Sequence, residues 1–314
     1  MLRRVVYPLG PQDSPFRRRF FEGWYFKEVS KDGSLTVSFI PGYSRTPERE
    51  EAFLQYIVQG PELEFSGSIS YPLEAISFRK APFTISLGES SFGEEGLILK
   101  EREFQGKISF GPFTPIRRSL YSPTIMGPFA YIPGMECNHG VLSMGHSLEG
   151  SLRIRGKEYS FQGGRGYLEK DWGSSFPRGY RWLQCSHFDG DASLFFSEAD
   201  IPFGPLTFRG FLCIFRYQGE EHRFATYNGS RCEVLKEEEG FRAILTKGRK
   251  RLELRAYPGH GQDLRAPREG DMGSRLIKEA VNARIEADFH RGGEEPDLFL
   301  TGYPGGYEEV EQES

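Results

Sequence analysis

Short runs in which apolar and polar residues alternate recur along the whole chain, and a period of two is the pattern of a strand with one face in a core and the other in water. In 34–40, SLTVSFI, Leu35, Val37 and Phe39 stand on one face against Ser34, Thr36 and Ser38. Leu152 and Ile154 do the same in 151–155, Leu252, Leu254 and Ala256 in 251–256, and Ile285, Ala287 and Phe289 in 284–290. The 38 glycines and 20 prolines among 314 residues supply turns between such runs, and 27 phenylalanines and 15 tyrosines suit a pleated, half-buried surface. The chain therefore reads as all-β, built of barrels or sandwiches. Helix is scarce. Its strongest candidate is 271–281, DMGSRLIKEAV, with Asp271 as a cap ahead of Met272, Leu276, Ile277 and Ala280.

A chain of this length suits two domains. No low-complexity linker divides it, so the boundary is set where strand signals cluster, giving domains 1–160 and 161–314. With 40 basic against 44 acidic residues, nothing in the charge balance asks for nucleic acid, and a neutral or apolar ligand is the natural partner. Cys137, Cys185, Cys213 and Cys232 have no CxxC spacing and suit reduced thiols better than a disulfide scaffold. The opening MLRRVVYPLGPQDSPF lacks an apolar stretch of signal-peptide length, and no later segment approaches a membrane span, which predicts a soluble, cytoplasmic protein. The acidic tail from 305, GGYEEVEQES, reads as a solvated terminus.

Three runs could carry chemistry. In FFEGWYFKE, a strand would put Glu22 and Trp24 on one face and Tyr25 on the other. An aromatic wall raises a carboxyl pKa and keeps the group protonated, as a general acid requires; equally, Glu22 could pair with Arg18 or Lys27 while the rings fill a core. In MECNHGVLSMGHSLEG, residues 135–150, Glu136, Cys137, His139 and His146 are metal-ligand types, but their spacing fits no common zinc pattern and no metal is expected. His139 reads as a proton-transfer group or a structural histidine, sharing a strand face with Cys137 and opposed to Glu136. In GRGYLEKDWGSSFPRGYRWLQCSHF, residues 164–188, a strand would aim Glu169 and Asp171 the same way, and two close carboxyls raise each other's pKa so that one stays protonated. A salt bridge to Lys170, Arg165 or Arg178 is the plain alternative. Further on, Trp182 and Gln184 share one parity while Cys185 and His187 share the other. There is no GxSxG elbow, no GxGxxG after a strand and no GxxxxGK loop, so no cofactor is expected.

Taken together, FFEGWYFKE, RGYLEKDWGSSFPRGYRWLQCSHF and DLRAPREGDMGS resemble, in order, blocks of the tocopherol cyclase family. The resemblance implies two lipocalin-like antiparallel β-barrel domains with little helix, related in architecture to carotenoid 1,2-hydratase and AttH-like proteins. It also implies a cofactor-independent isomerase that closes a chromanol ring: a prenylated hydroquinone adds its phenolic oxygen across the nearest double bond of its own tail. Such a reaction needs an acid, a base and an apolar pocket whose aromatic faces steady a tertiary cation. On this basis Glu22 or Asp171 is the expected proton donor and His139 or His187 the acceptor. Trp24, Trp172, Tyr180 and Trp182 are the expected aromatic wall, and Tyr25, Glu136, Glu169 and Gln184 further substrate contacts. Asp171 departs from the plant pattern, which carries asparagine there. The expected partner is a small apolar or amphipathic isoprenoid-type ligand, which allows transient membrane association to obtain substrate. A lipocalin-like carrier and a hydratase of an isoprenoid alkene are the alternatives.

Overall fold

The computed structural model describes residues 7–13, 17–203, 206–293 and 295–311, apart from the side chains of 203 and 206. Part of the opening run on which the absence of a leader was read, residues 1–6 and 14–16, and the end of the acidic tail, 312–314, lie outside the described residues. Among the described residues there are 22 strands, three short 3-10 turns and no α-helix. The chain divides into one unit formed by the residues up to Phe176 with Asp263–Leu276, and a second formed by Pro177–Gln262 with Ile277 onwards.

The first unit contains β1 (Phe20–Val29), β2 (Thr36–Arg45), β3 (Glu50–Gly60), β4 (Leu63–Tyr71), β5 (Ile76–Lys80), β6 (Phe83–Leu87), β7 (Ser90–Gly93), β8 (Gly96–Lys100), β9 (Phe104–Phe110), β10 (Cys137–Ile154), β11 (Lys157–Ser160) and β12 (Arg165–Gly173). They form one antiparallel sheet in the order β4-β3-β2-β1-β12-β10-β9-β8-β7-β6-β5, with β11 beside β10. The sheet wraps round a single core, because rings from strands far apart in that order meet across it. Trp24 of β1 lies 5.4 Å from Phe78 of β5 and 6.0 Å from Phe83 of β6. Phe39 of β2 and Tyr56 of β3 both pack on Phe104 of β9, at 5.1 and 4.8 Å. The alternation read in 34–40 sets this register: Val37 and Phe39 are fully buried in that core, as is Phe26 of β1.

The second unit contains β13 (Tyr180–Cys185), β14 (Ala192–Phe203), β15 (Leu206–Tyr217), β16 (Glu220–Ala225), β17 (Arg231–Lys236), β18 (Phe241–Lys247), β19 (Lys250–Tyr257), β21 (Leu276–His290) and β22 (Leu298–Val310), with the short β20 (Gln262–Arg265) at the junction. Its antiparallel order is β16-β15-β14-β13-β22-β21-β19-β18-β17. Phe196 packs on Phe241 at 6.1 Å, Phe241 on Tyr307 at 5.6 Å and Phe215 on Phe289 at 5.5 Å, closing this sheet round its own core. The protein is thus all-β, with two lipocalin-like antiparallel barrels, and all four cysteines are free thiols.

Three expectations are corrected. A boundary after residue 160 would cut away β12, which is hydrogen-bonded between β1 and β10; the division falls after Phe176 instead, and Asp263–Leu276 returns to the first unit. That return is held by backbone bonds, Phe176 N–H to Pro267 O at 3.0 Å and Gly270 N–H to Ser174 O at 2.7 Å, and by the Gln55 amide, which bonds both the N–H and the carbonyl of Arg265. The helix expected over 271–281 is a bend followed by the start of β21. The helical spacing is false because in this stretch apolar residues do not mark the inward face: Leu276 is exposed, while the polar Glu279 is buried along with Ile277 and Ala280. The tail from 305 is strand as far as Val310, with Tyr307 and Glu308 buried.

Candidate active site on the first sheet

β12 carries two opposed sets of functional side chains, and its neighbours complete each. Across the pairing, Glu22 stands opposite Trp172, Trp24 opposite Lys170, and Tyr25 opposite Glu169; on the other side His139 stands opposite Asp171. Alternation then sends Glu22, Trp24, Lys170 and Trp172 into the barrel and Tyr25, Tyr167, Glu169, Asp171, His139 and Cys137 to its outer face.

Inside, Lys170 Nζ lies 2.6 Å from Glu22 Oε1, with both side chains fully enclosed. The Tyr43 hydroxyl also donates to Glu22, as does the Gln12 N–H at 2.8 and 3.0 Å to its two oxygens. Burial and the neighbouring Glu22 carboxylate push the Tyr43 hydroxyl far up, so it stays a donor. The ammonium of Lys170 sits 4.5 Å from the Trp24 ring centre and 5.1 Å from that of Trp172, and it donates to the carbonyls of Gly10 and Pro8. Trp24 Nε1 donates to Leu9 O at 2.8 Å, so the strap 8–12 seals this end of the barrel. Glu22 was expected as an acid, paired if at all with Arg18 or Lys27, and Trp24 and Trp172 as a wall for a substrate cation. The structure places all three in a closed ion pair whose aromatic faces already hold a cation, Lys170.

The outer face is different in kind. The His139 ring bridges two carboxylates, Nδ1 to Asp171 Oδ1 at 2.6 Å and Nε2 to Glu169 Oε2 at 3.3 Å. Burial alone would lower the imidazole, but the Asp171 and Glu169 carboxylates outweigh it and raise the group to about 10, so the ring carries its proton at neutral pH. Tyr167 donates to Glu169 Oε2 at 2.6 Å, its hydroxyl held up by burial and that carboxylate. Tyr25, cross-strand from Glu169, accepts from Ser38 Oγ at 3.0 Å. Cys137 Sγ lies 4.0 Å from Asp171 Oδ1, and burial first, then Asp171, keeps it a thiol. Side-chain exposure rises from 6 % at Glu169 to 15 % at His139 and 19 % at Asp171, so Asp171 is the most approachable of the three. The donor atoms of His139, Glu169 and Asp171 lie within 4.8 Å of one another and are of types a divalent cation accepts. Each ring nitrogen of His139 already faces a carboxylate, however, so a cation there would have to displace the shared proton.

The remaining expected residues fall elsewhere. Glu136 precedes β10 with its side chain exposed, and its carbonyl accepts from Ser174 N–H at 2.7 Å. Tyr180, Trp182 and Gln184 belong to β13 of the second unit, buried on the face opposite Leu183 and Cys185, and Tyr180 donates to Glu308 at 2.6 Å. His187 follows that strand, its carbonyl accepting from Tyr303 N–H at 2.9 Å. Tyr167 was missed, although its parity with Glu169 and Asp171 marks it. So was a third buried group, Glu28 with His146, whose nearest atoms lie 3.8 Å apart inside the barrel. His146 Nδ1 contacts Ser143 Oγ at 3.1 Å, and Phe110 and Phe113 pack on its ring at 4.5 and 4.9 Å. Burial pushes Glu28 well up and His146 down to about 3, so both are neutral.

The two barrels place the chain in a class of solved folds. It is similar to an AttH-type protein from Nitrosomonas europaea, with a TM-score of 0.54 and 12 % identity over 98 % of this chain and 99 % of that one. It is similar to CghA, at 0.63 and 10 % over 95 % and 90 %, and to kievitone hydratase from Nectria haematococca, at 0.54 and 11 % over 98 % and 95 %. At such identities the likeness is one of fold. In sequence, residues 117–228 match the model of the family described as tocopherol cyclase-like, the family that the motifs resemble. A chloroplastic protein of Oryza sativa subsp. japonica, named as a probable tocopherol cyclase, is 27 % identical over 55 % of this chain and 48 % of its own. The chain thus spans about half the length of that curated relative.

Proposed function

We propose that the protein is an acid-catalysed cyclase that closes a ring on a prenylated hydroquinone or similar isoprenoid, with Asp171, His139 and Glu169 moving the proton. One observation carries the reading: a single imidazole, partly open to solvent, in contact with a carboxylate at each ring nitrogen. Ring closure takes a proton at carbon and returns one from the phenol, so the protein must give and recover one proton per turnover. An apolar substrate covering the cluster expels water, and desolvation favours a neutral carboxylic acid beside a neutral imidazole over the charged pair. The His139 proton then passes along the 2.6 Å contact to Asp171, which delivers it to the alkene. The tertiary cation forms beside Glu169, still an anion, and beside the rings of Tyr25 and Tyr167. The phenolic oxygen adds to the cation, and its proton goes to the vacated Nδ1 of the neutral His139 ring, restoring the start.

Two features favour this over a lipocalin-like carrier that stores its ligand in the barrel. The interior of the first barrel is filled by Trp24, Phe26, Phe39, Phe92 and Phe104, and the polar cluster faces away from it. The test is turnover of a prenylhydroquinone to a product of unchanged mass by wild type, Asp171→Asn and His139→Gln. Loss in both variants, with circular dichroism unchanged, is the expected result; undiminished turnover in both would sink the assignment. A product heavier by one water would mean that solvent replaces the phenol as nucleophile and that the protein is a hydratase.

A further inference from the structure

The segment between β9 and β10 presents an apolar tip with no counterpart elsewhere in the reaction scheme. Leu120 is 91 % exposed and Tyr121 60 %, side by side at the centre of a turn. The turn is built rather than loose. Ser119 N–H bonds Ser122 O at 3.0 Å and Ser122 N–H bonds Ser119 Oγ at 3.0 Å, while Tyr131 Oη donates to Leu120 O at 2.6 Å. Arg118 Nε donates to Pro123 O at 2.7 Å, and the base of the segment is anchored by buried Ile116, Ile125, Met126 and Ala130. A leucine held almost wholly in water by its own hydrogen-bonded turn gains nothing from the fold around it.

Charge says what the tip meets. From Gly111 to Met135 the chain has two arginines, Arg117 and Arg118, and no aspartate or glutamate, in a protein that otherwise carries 44 acidic residues. Both arginines are exposed immediately before the apolar pair. Apolar side chains at a tip with cations just behind them match the two layers of an anionic lipid surface, hydrocarbon below and phosphate above. We propose that residues 117–121 form a docking tip that places Leu120 and Tyr121 in the interface of an anionic lipid bilayer and Arg117 and Arg118 against its phosphates. Two side chains and two charges give a weak, reversible attachment, suited to collecting an apolar substrate from a membrane and leaving again. The docking does not depend on the proposed reaction, since it is read without turnover.

The full chain is sedimented with vesicles of phosphatidylcholine alone and of phosphatidylcholine with phosphatidylglycerol, alongside Arg117→Glu/Arg118→Glu and Leu120→Ser/Tyr121→Ser. The wild type is expected to partition onto the anionic vesicles, less as salt rises, and each double variant to lose about tenfold or more in partitioning. Because Arg118→Glu also removes the Nε bond to Pro123 O, Arg117→Glu alone, which keeps that bond, is run beside the double variant and should lose partitioning in the same direction, with thermal melts separating lost docking from a loosened turn. Failure of the wild type to bind, or equal binding by the variants, overturns the proposal. A wild type that dimerises on gel filtration through Leu120 and Tyr121 without touching vesicles would assign the tip to a second copy instead.

Discussion

Replacing His139 with glutamine should change how stability depends on pH, over a window fixed by the geometry of the cluster. The imidazole is raised from 6.5 to about 10 by Asp171 and Glu169. A raised folded-state pKa means that the stabilising contribution is complete below 6.5, where folded and unfolded chains both hold the proton. It is lost as pH climbs through about 10, because only the folded chain still holds it in between. At about 1.4 kcal/mol per pH unit the whole window corresponds to roughly 5 kcal/mol, which water at the partly exposed ring reduces. Urea unfolding of wild type and His139→Gln at pH 7, 8 and 9 isolates this group, since other titrations cancel in the difference. The wild type should lose about 2–3 kcal/mol relative to the variant between pH 7 and 9. Parallel curves would show that the ring carries no proton in this range and would refute the proton-reservoir argument.

Glu28 and Glu22, both buried inside the first barrel, give contrasting expectations. Glu28 is held neutral by burial, so Glu28→Gln, an isosteric neutral change, should cost about 1 kcal/mol or less. Glu22→Gln leaves the ammonium of Lys170 enclosed without its counter-charge and should cost about 3–5 kcal/mol, most of it recovered in Glu22→Leu/Lys170→Met. Equal losses in the two single variants, measured by denaturant midpoint, would contradict the assigned charge states. Gly166→Ala should lower stability by about 1–3 kcal/mol, because its Cβ would lie 2.2 Å from His146 Nε2 and 2.3 Å from Glu28 Oε2 in a packed interior. A neutral result in thermal melts would show that Glu28 and His146 are free to give way.

Much of the architecture was legible because strand parity is local information. Val37 with Phe39, or Glu169 with Asp171 against Trp172, need only the chain itself to fix which side chains share a face. Strand pairing is not local, and this is where the reading of Glu22 changed. Its partner Lys170 lies on a strand distant in sequence, and nothing near Glu22 announces it. The same pairing brought His139 from β10 opposite Asp171, joining two motifs that parity alone kept as separate candidates. The second unit's outline was harder to see, because β21 opens with an exposed Leu276 and a buried Glu279, so that Leu276, Ile277 and Ala280 imitate a helix. The boundary was misplaced since nothing in the composition of Asp263–Leu276 shows that it hydrogen-bonds back to Phe176 and Ser174.

The proposed proton path is tested most directly by running the reaction in deuterium oxide. Incubated with a prenylhydroquinone, the wild type should give a cyclised isomer carrying one deuterium on the former alkene carbon, read by mass spectrometry after back-exchange of hydroxyl positions. Asp171→Asn and His139→Gln should give none. A cyclised product without carbon-bound deuterium, or one formed equally by Asp171→Asn, would contradict proton delivery through the Asp171–His139–Glu169 cluster.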